Sequence, residues 1–405
     1  MVVVRKLAPD KKLMSTPNQF YQNNEFAGQA LPVTIPRQRS TSAIKIALVI
    51  VCALIALLLG LLVILIIGIE TGPIAFLIGL VTATIPVPLY VILVLWIDRY
   101  ESEPFWMLAT AFFWGALVAP FFAFLLNTTG GAIVSAVAGP AAGNTFAIVI
   151  SAPIVEESAK AVILFVFFFF KKDEFDGVID GIVYAALVAL GFAMTENILY
   201  YGKAALLGGG DLTLTFFIRG FLAPFSHPLF TSMTGIGLGL ARQTRNMVVK
   251  FITPVVGLLM AIFMHSIWNG SGRIFGGGVF LLTYILIMVP AFVILLVVIG
   301  IALHREGQLV RQFLLCDLER GILTRQEYDQ LGSIFGRLGS SFNALTQNGM
   351  KGWRTRMKFN QMASELAFYR CRVSRGLSSN SVEASELEAA YIQALTSLLR
   401  EVRGR

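Results

Sequence analysis

The sequence predicts an all-α integral membrane protein, a bundle of about eight transmembrane helices with a cytoplasmic helical C-terminal tail. Three observations carry that prediction. The chain is 56% hydrophobic and only 14% charged, where a soluble protein carries roughly a quarter charged residues. Uncharged apolar runs at 46–69, 74–97 and 104–126 reach the ~20 residues that a helix needs to cross the hydrocarbon layer. Beyond His304 the composition changes to that of a soluble helical segment.

Residues 1–45 are polar, with Asn18, Gln19, Gln22, Asn23 and Asn24 close together, and read as a disordered cytoplasmic tail. The first apolar run follows this tail and is too long for the core of a cleavable signal, so it is expected to be an uncleaved anchor. The membrane domain is placed at 46–303, with spans at 46–69, 74–97, 104–126, 146–170, 178–201, 213–240, 251–270 and 278–303 on the hydropathy criterion. The small, uncharged stretch 127–145 can be a loop or a re-entrant hairpin and is kept as an external loop; a full span there would reverse the parity of everything after it.

Arg99, Lys171, Lys172, Arg242, Arg245 and Lys250 then share one side with both tails, while the other side has little more than Lys203 and Arg273. This bias puts both termini in the cytoplasm of a multi-pass protein of the cell membrane. It also accounts for the net charge of +8 through topology and contact with the lipid bilayer, so no nucleic-acid partner is expected. Cys52, Cys316 and Cys371 have no spacing that suggests a disulfide or a zinc ribbon.

In the tail, 304–405, Thr324-x-x-Glu327 and Ser385-x-x-Glu388 have the spacing of capping boxes at helix starts. Lys351, Arg354, Arg356 and Lys358 interleave with Trp353, Met357 and Phe359, the pattern of an interfacial helix.

The most informative residues are polar groups inside the later spans, at 146–270. A charge at mid-bilayer costs on the order of 2.5–3.5 kcal/mol on insertion scales, yet this region holds Glu156, Glu157, Lys160, Glu196, Arg219, His227 and His265, with Asn197 and Asn269. Glu156 and Lys160 are four apart and are expected to pair, leaving Glu157 about 100° around the helix to face a neighbour. His227 lies between Pro224 and Pro228, where the helix is expected to break. His265 and Asn269 share one face at i, i+4. Rise-per-residue arithmetic puts Glu156 ~15 Å, Glu196 and His265 ~7 Å and His227 ~20 Å from the outer ends of their spans. All are expected to face one cavity.

A carboxylate among other acids in a low-dielectric cavity is pushed toward the range of a useful base. With histidine and asparagine it can activate water and stabilise an oxyanion, as amide hydrolysis requires. Two histidines and a glutamate, for instance Glu196, His227 and His265, would also make a His₂Glu zinc site with an open position. No H-E-x-x-H, G-x-S-x-G or P-loop occurs. An ion- or proton-coupled transporter predicts an internal repeat, and none is found. A non-catalytic scaffold predicts loss of a site residue.

Glu156-Glu157-x-x-Lys160, Asp176-Gly-x-x-Asp180-Gly-x-x-Tyr184, Gly191-Phe192-Ala-x-x-Glu196-Asn197-x-x-Tyr200, His227 and His265-x-x-x-Asn269 together resemble the PrsW family of intramembrane proteases. Asp98-Arg99-Tyr100-Glu101-x-Glu103-Pro104 is similar to that family as well, and the likeness covers roughly 95–270. It implies a peptidase related to the CAAX prenyl-protease/ABI superfamily that cleaves a membrane-anchored protein, such as an anti-sigma-factor-like regulator. By the family pattern Glu156 and Glu157 supply the base, Glu196, His227 and His265 complete the site, and Asn269 stabilises the oxyanion. Lys160 orients a glutamate and Asn197 supports the site; whether a metal such as zinc takes part is left open by the motif.

Overall fold

The computed structural model describes residues 43–374 and 381–404. Apart from its last residues, the tail expected at 1–45 lies outside the described residues. Those described contain α-helices and no β-strand. Six helical stretches are long and apolar enough to cross a membrane: Ala47–Thr71, Pro73–Ile97, Phe105–Ala138, Val178–Leu207, Met247–Ile274 and Gly276–Glu319. The other two expected spans, 146–170 and 213–240, are helical too, but they are interrupted and carry the polar residues.

In chain order the elements begin with α1 (Ala43–Thr71), α2 (Pro73–Thr84), α3 (Val87–Ile97), α4 (Phe105–Phe113) and α5 (Ala119–Ala138). The site-bearing group follows: α6 (Pro140–Phe146), α7 (Ala152–Phe170), α8 (Val178–Leu207), α9 (Gly209–Phe216), α10 (Ser226–Gln243) and α11 (Met247–Thr283). The chain finishes with α12 (Val289–Glu319), α13 (Arg325–Leu331), α14 (Ile334–Ser374) and α15 (Ser381–Val402).

Widened π turns fill four of the junctions, at Trp114–Val118, Ala147–Ser151, Phe217–Leu222 and Tyr284–Met288. Each contains the residue four before a proline: Pro120, Pro153, Pro224 and Pro290. A proline has no N–H to offer the carbonyl four residues back and its ring collides with it. One extra residue in the turn takes that carbonyl out of the way without ending the helix.

The stretch expected as a loop, 127–145, is helical. Its residues are small and uncharged and the helix runs through Gly130 and Gly131, so α4, the π turn and α5 continue for 34 residues to Ala138. The chain reverses at Gly139, whose φ is 87°, and α6 descends beside α5.

α8 is the central helix. In the α8 span 89% of the most apolar window is buried within the protein, against 17% in the α1 span, and α2, α4, α7 and α10 all pack on it. Small residues allow the close approach. Gly181 of α8 and Gly235 of α10 face each other so tightly that a Cβ on either would meet the other's carbonyl; between α10 and α11 a Cβ on Gly237 would meet the Thr253 carbonyl and one on Gly257 the Met233 carbonyl. Asp180 closes the start of α8, accepting hydrogen bonds from the amides of Asp176 at 2.8 Å and Gly177 at 2.6 Å.

The C-terminal helices dock on the loop at 98–104. Arg337 donates to the Arg99 carbonyl at 3.1 Å and lies over the Tyr100 ring, Arg372 pairs with Glu101, and Glu103 accepts from Tyr184 of α8 at 2.5 Å. The capping box at α13 forms as read, with Thr324 Oγ1 accepting from Glu327 N at 3.2 Å and Glu327 accepting from Thr324 N at 2.8 Å. The second does not: α15 already begins at Ser381, which leaves Ser385 inside the helix, and Glu388 pairs with Arg370 at 2.8 Å.

Gly181→Ala or Gly235→Ala is expected to force α8 and α10 apart and to cost about 1–3 kcal/mol, read as a lower melting temperature in detergent. Gly300→Ala, where no atom lies within 4 Å of the added carbon, leaves it unchanged or raises it. Burial lifts Asp98 to about 8. Glu101 also reaches about 8, by burial and by the charge of Asp176 against the pull of Arg372. The folded chain therefore holds protons that the unfolded chain has released. Stability contributed by these groups is present below the ordinary carboxylate range and is lost as pH rises toward about 8. Between about pH 5 and pH 9 the melting temperature should fall, and fall less in Glu101→Gln.

Candidate active site

Four helices meet below the α8–α9 connection, and their polar residues converge. From α7, Glu156, Glu157 and Lys160 face inward and all three are buried. Lys160 Nζ donates to Glu157 Oε1 at 2.8 Å and lies 3.7 Å from Glu156 Oε2. The expected i, i+4 pairing with Glu156 is present at 3.7 Å, and the lysine also holds Glu157, its i, i+3 neighbour, more closely. Two further groups draw Glu157 inward, the Thr231 hydroxyl at 2.8 Å on Oε2 and His265 Nδ1 at 3.0 Å from Oε1. The lysine also lies 3.1 Å from His227 Nδ1 and 4.0 Å from the Phe192 ring centroid.

α8 contributes Glu196 and Asn197. Glu196 Oε2 lies 3.1 Å from His227 Nε2 and pairs with Arg219. The same guanidinium donates to Asn197 Oδ1 at 2.5 Å and lies over the Tyr200 ring. His227 and His265 meet edge to face at 5.2 Å between ring centroids. The straight-helix arithmetic had put His227 far deeper than Glu196. It fails because α9 and α10 are not one rod: the π turn at 217–222 and the non-helical residues before Ser226 carry the histidine sideways into the site. Arg219, Pro224 and His227 line a cleft at this break, together with Asn197 and Trp268.

Asn269 Nδ2 donates to the Ile148 carbonyl at 2.9 Å, tying α11 to the π turn that precedes α7. Arg219 and Thr231 take part in the site although the sequence reading gave them no role. Thr231 was readable as the residue one turn after His227 on the same face. Arg219 was readable as a membrane-embedded cation with no acid nearby in its own helix.

The ligand atoms of Glu156, His227 and His265 lie within 4.8 Å of one another. The metal set read from the sequence had Glu196 in place of Glu156; in the structure Glu196 lies against Arg219 and the far side of His227. The donor set suits a divalent ion of the zinc type. Glu156 Oε2 is buried with no hydrogen-bond partner, and each histidine has one nitrogen against a carboxylate, Glu157 for His265 and Glu196 for His227. For His265 that is the outer arrangement that orients a metal-binding imidazole; the other nitrogen of His227 faces Lys160 Nζ at 3.1 Å.

Glutamates and histidines thus gather among the buried helices of a multi-span helical protein, a set of groups that can activate water. Residues 103–295 match the model of the PrsW family intramembrane metalloproteases, a range that contains every site residue. The chain is similar to proteins named Protease PrsW from Bacillus subtilis (31% identity, 43% of this chain and 71% of that protein) and Geobacillus kaustophilus (31%, 42% and 69%). A third, from Oceanobacillus iheyensis, is 32% identical, over 34% of this chain and 56% of that protein. The chain belongs to the PrsW family. No solved structure matches it.

Lys160→Met is expected to strand Glu157 beside an uncompensated Glu156 and to cost about 3–5 kcal/mol, with most of the loss visible as early unfolding in detergent. Thr231→Val removes one hydrogen bond and should cost about 1 kcal/mol.

Proposed function

We propose that the chain is an endopeptidase that cleaves a membrane-anchored protein within or beside the bilayer, with Glu156 as the group that takes the proton of the attacking water. The observation that carries this reading is the contrast between the two adjacent glutamates. Glu157 is filled by Lys160, Thr231 and His265, whereas a Glu156 oxygen is buried without a hydrogen-bond donor. A carboxylate with free accepting capacity in a low-dielectric site is the stronger base of the two.

Glu157 is a positioning residue: it fixes the Lys160 ammonium and the tautomer and tilt of His265. Glu196, held by Arg219, does the same for His227. Asn269 spends one amide N–H on Ile148, and an amide nitrogen has two, so the second serves a developing oxyanion. The proton taken by Glu156 passes to the leaving amine. A zinc ion, when bound, would be held by His227, His265 and one oxygen of Glu156 and would lower the pKa of a bound water toward neutrality, leaving the second Glu156 oxygen to accept the proton. The cleft at the α9–α10 break is the entry for an unwound stretch of substrate, because its edge at 223–225 is already non-helical.

The K/R bias puts both termini on the cytoplasmic side of the cell membrane, and the docking of the C-terminal helices on the 98–104 loop agrees with one shared side. An anti-sigma-factor-like regulator, with one anchor and a cleavable flank, is the kind of substrate this arrangement suits.

Membrane-protein N-termini are compared between cells that express the wild type and cells that express Glu156→Gln at equal levels. Termini found only with the wild type are expected, with cleavage falling about 10²–10⁴-fold in the variant. Matching profiles would overturn the assignment. With a cleaved substrate in hand, a zinc chelator should abolish activity in detergent and added zinc should restore it.

A further inference from the structure

α14 is two helices, not one. Gly349, with φ 63° and ψ −158°, divides it, and the halves fold back on each other: Asn360 donates to Ser341 at 3.3 Å, Ser341 lies 3.7 Å from the Met357 sulfur, and Arg337 bonds Ser364. Each half leaves an apolar stripe uncovered at i, i+3, i+7 spacing, Phe335, Leu338 and Phe342 on the first and Met350, Trp353 and Met357 on the second. Phe335 is 84% exposed and Phe342 67%, high values for aromatic side chains on a water-facing helix.

The charge of the hairpin is as one-sided as its surface is apolar. No Asp or Glu occurs between Asp329 and Glu365, while Arg337, Lys351, Arg354, Arg356 and Lys358 do. Lys351, Arg354 and Lys358 are exposed and each follows a residue of the second apolar stripe. The base of the hairpin is fixed at the membrane border. Arg337 binds the backbone of the 98–104 loop, which joins two spans, and Trp96 and Trp106 flank that loop with Arg99 and Lys171 over their rings, in the manner of an interfacial belt.

We propose that the α14 hairpin lies on the anionic leaflet of the membrane that the chain itself spans. Phe342, Trp353 and Met357 enter the headgroup layer, and Lys351, Arg354 and Lys358 bind lipid phosphates. Aromatic and methionine side chains beside basic ones match that layer, where apolar burial and attraction to anionic headgroups act together. The occupant follows from position and charge: a bilayer surface is always within reach of a hairpin anchored at the end of two spans. An acidic protein partner would answer the charge but would leave the tether to the membrane border without a role.

The test uses the full-length chain with Cys52, Cys316 and Cys371 replaced and an environment-sensitive fluorophore on Phe342→Cys, reconstituted in phosphatidylcholine alone or with phosphatidylglycerol. Blue-shifted emission that nitroxide-labelled lipids quench is expected in the anionic bilayer, and aqueous emission from a probe on Glu401→Cys. In Lys351→Gln, Arg354→Gln and Lys358→Gln combined, the preference for the anionic bilayer should fall roughly fivefold per charge removed. Amide exchange of 334–358 in the unmodified chain provides a second measurement without cysteine replacement, and slower exchange in the anionic bilayer is expected. Aqueous emission and equal exchange in both bilayers would overturn the proposal, as would protection that appears only when an acidic protein is added.

Discussion

Lys160 places an ammonium where no water reaches it, and much of the membrane domain is organised around that fact. An isolated charge taken out of water costs several kcal/mol even after relaxation. Glu157 must therefore lie beside it, and the second glutamate of the pair is then forced to find its own setting. Thr231 and His265 complete the shell of Glu157 and bring α10 and α11 against α7. The geometry that leaves Glu156 open is a by-product of how fully Glu157 is engaged.

Helices can come this close only where side chains are small and backbones can bend. The facing glycines between α8 and α10, and between α10 and α11, supply the first condition. The prolines supply the second, each tolerated through one widened turn. Two of those turns act directly on the site: the one before α7 receives the Asn269 amide, and the one before α10 carries Arg219 to Glu196 and turns His227 inward. Bent helices and polar chemistry thus occur together because unpaired carbonyls and charged groups need the same neighbours.

Much of this could be read from the residues. Hydropathy located the spans, and the cost of burying charge singled out Glu156, Glu157, Glu196, His227 and His265, which do converge. What could not be read was partner choice. Spacing allows Lys160 to reach either glutamate; it contacts both, and Thr231 and His265 on other helices hold the nearer one, Glu157. The stretch 127–145 could be read as a loop or a re-entrant hairpin, and the choice fell on the loop because Gly130, Gly131 and Gly139 interrupt good helix formers. The depth of His227 was misjudged because rise per residue has meaning only along an unbroken axis. The capping pattern at Ser385 had the right spacing but lay one turn inside a helix that starts earlier.

The enclosure of α8 bears on how the chain is made. During synthesis α8 emerges before α9, α10 and α11, so Glu196 enters the bilayer ahead of Arg219 and His227, its eventual partners. A helix that is shielded on nearly every side when finished must first stand in lipid with one side open. The last steps of assembly then consist of the later helices closing over an acid that has been waiting for them, and the catalytic pocket comes into being only when that closure is complete.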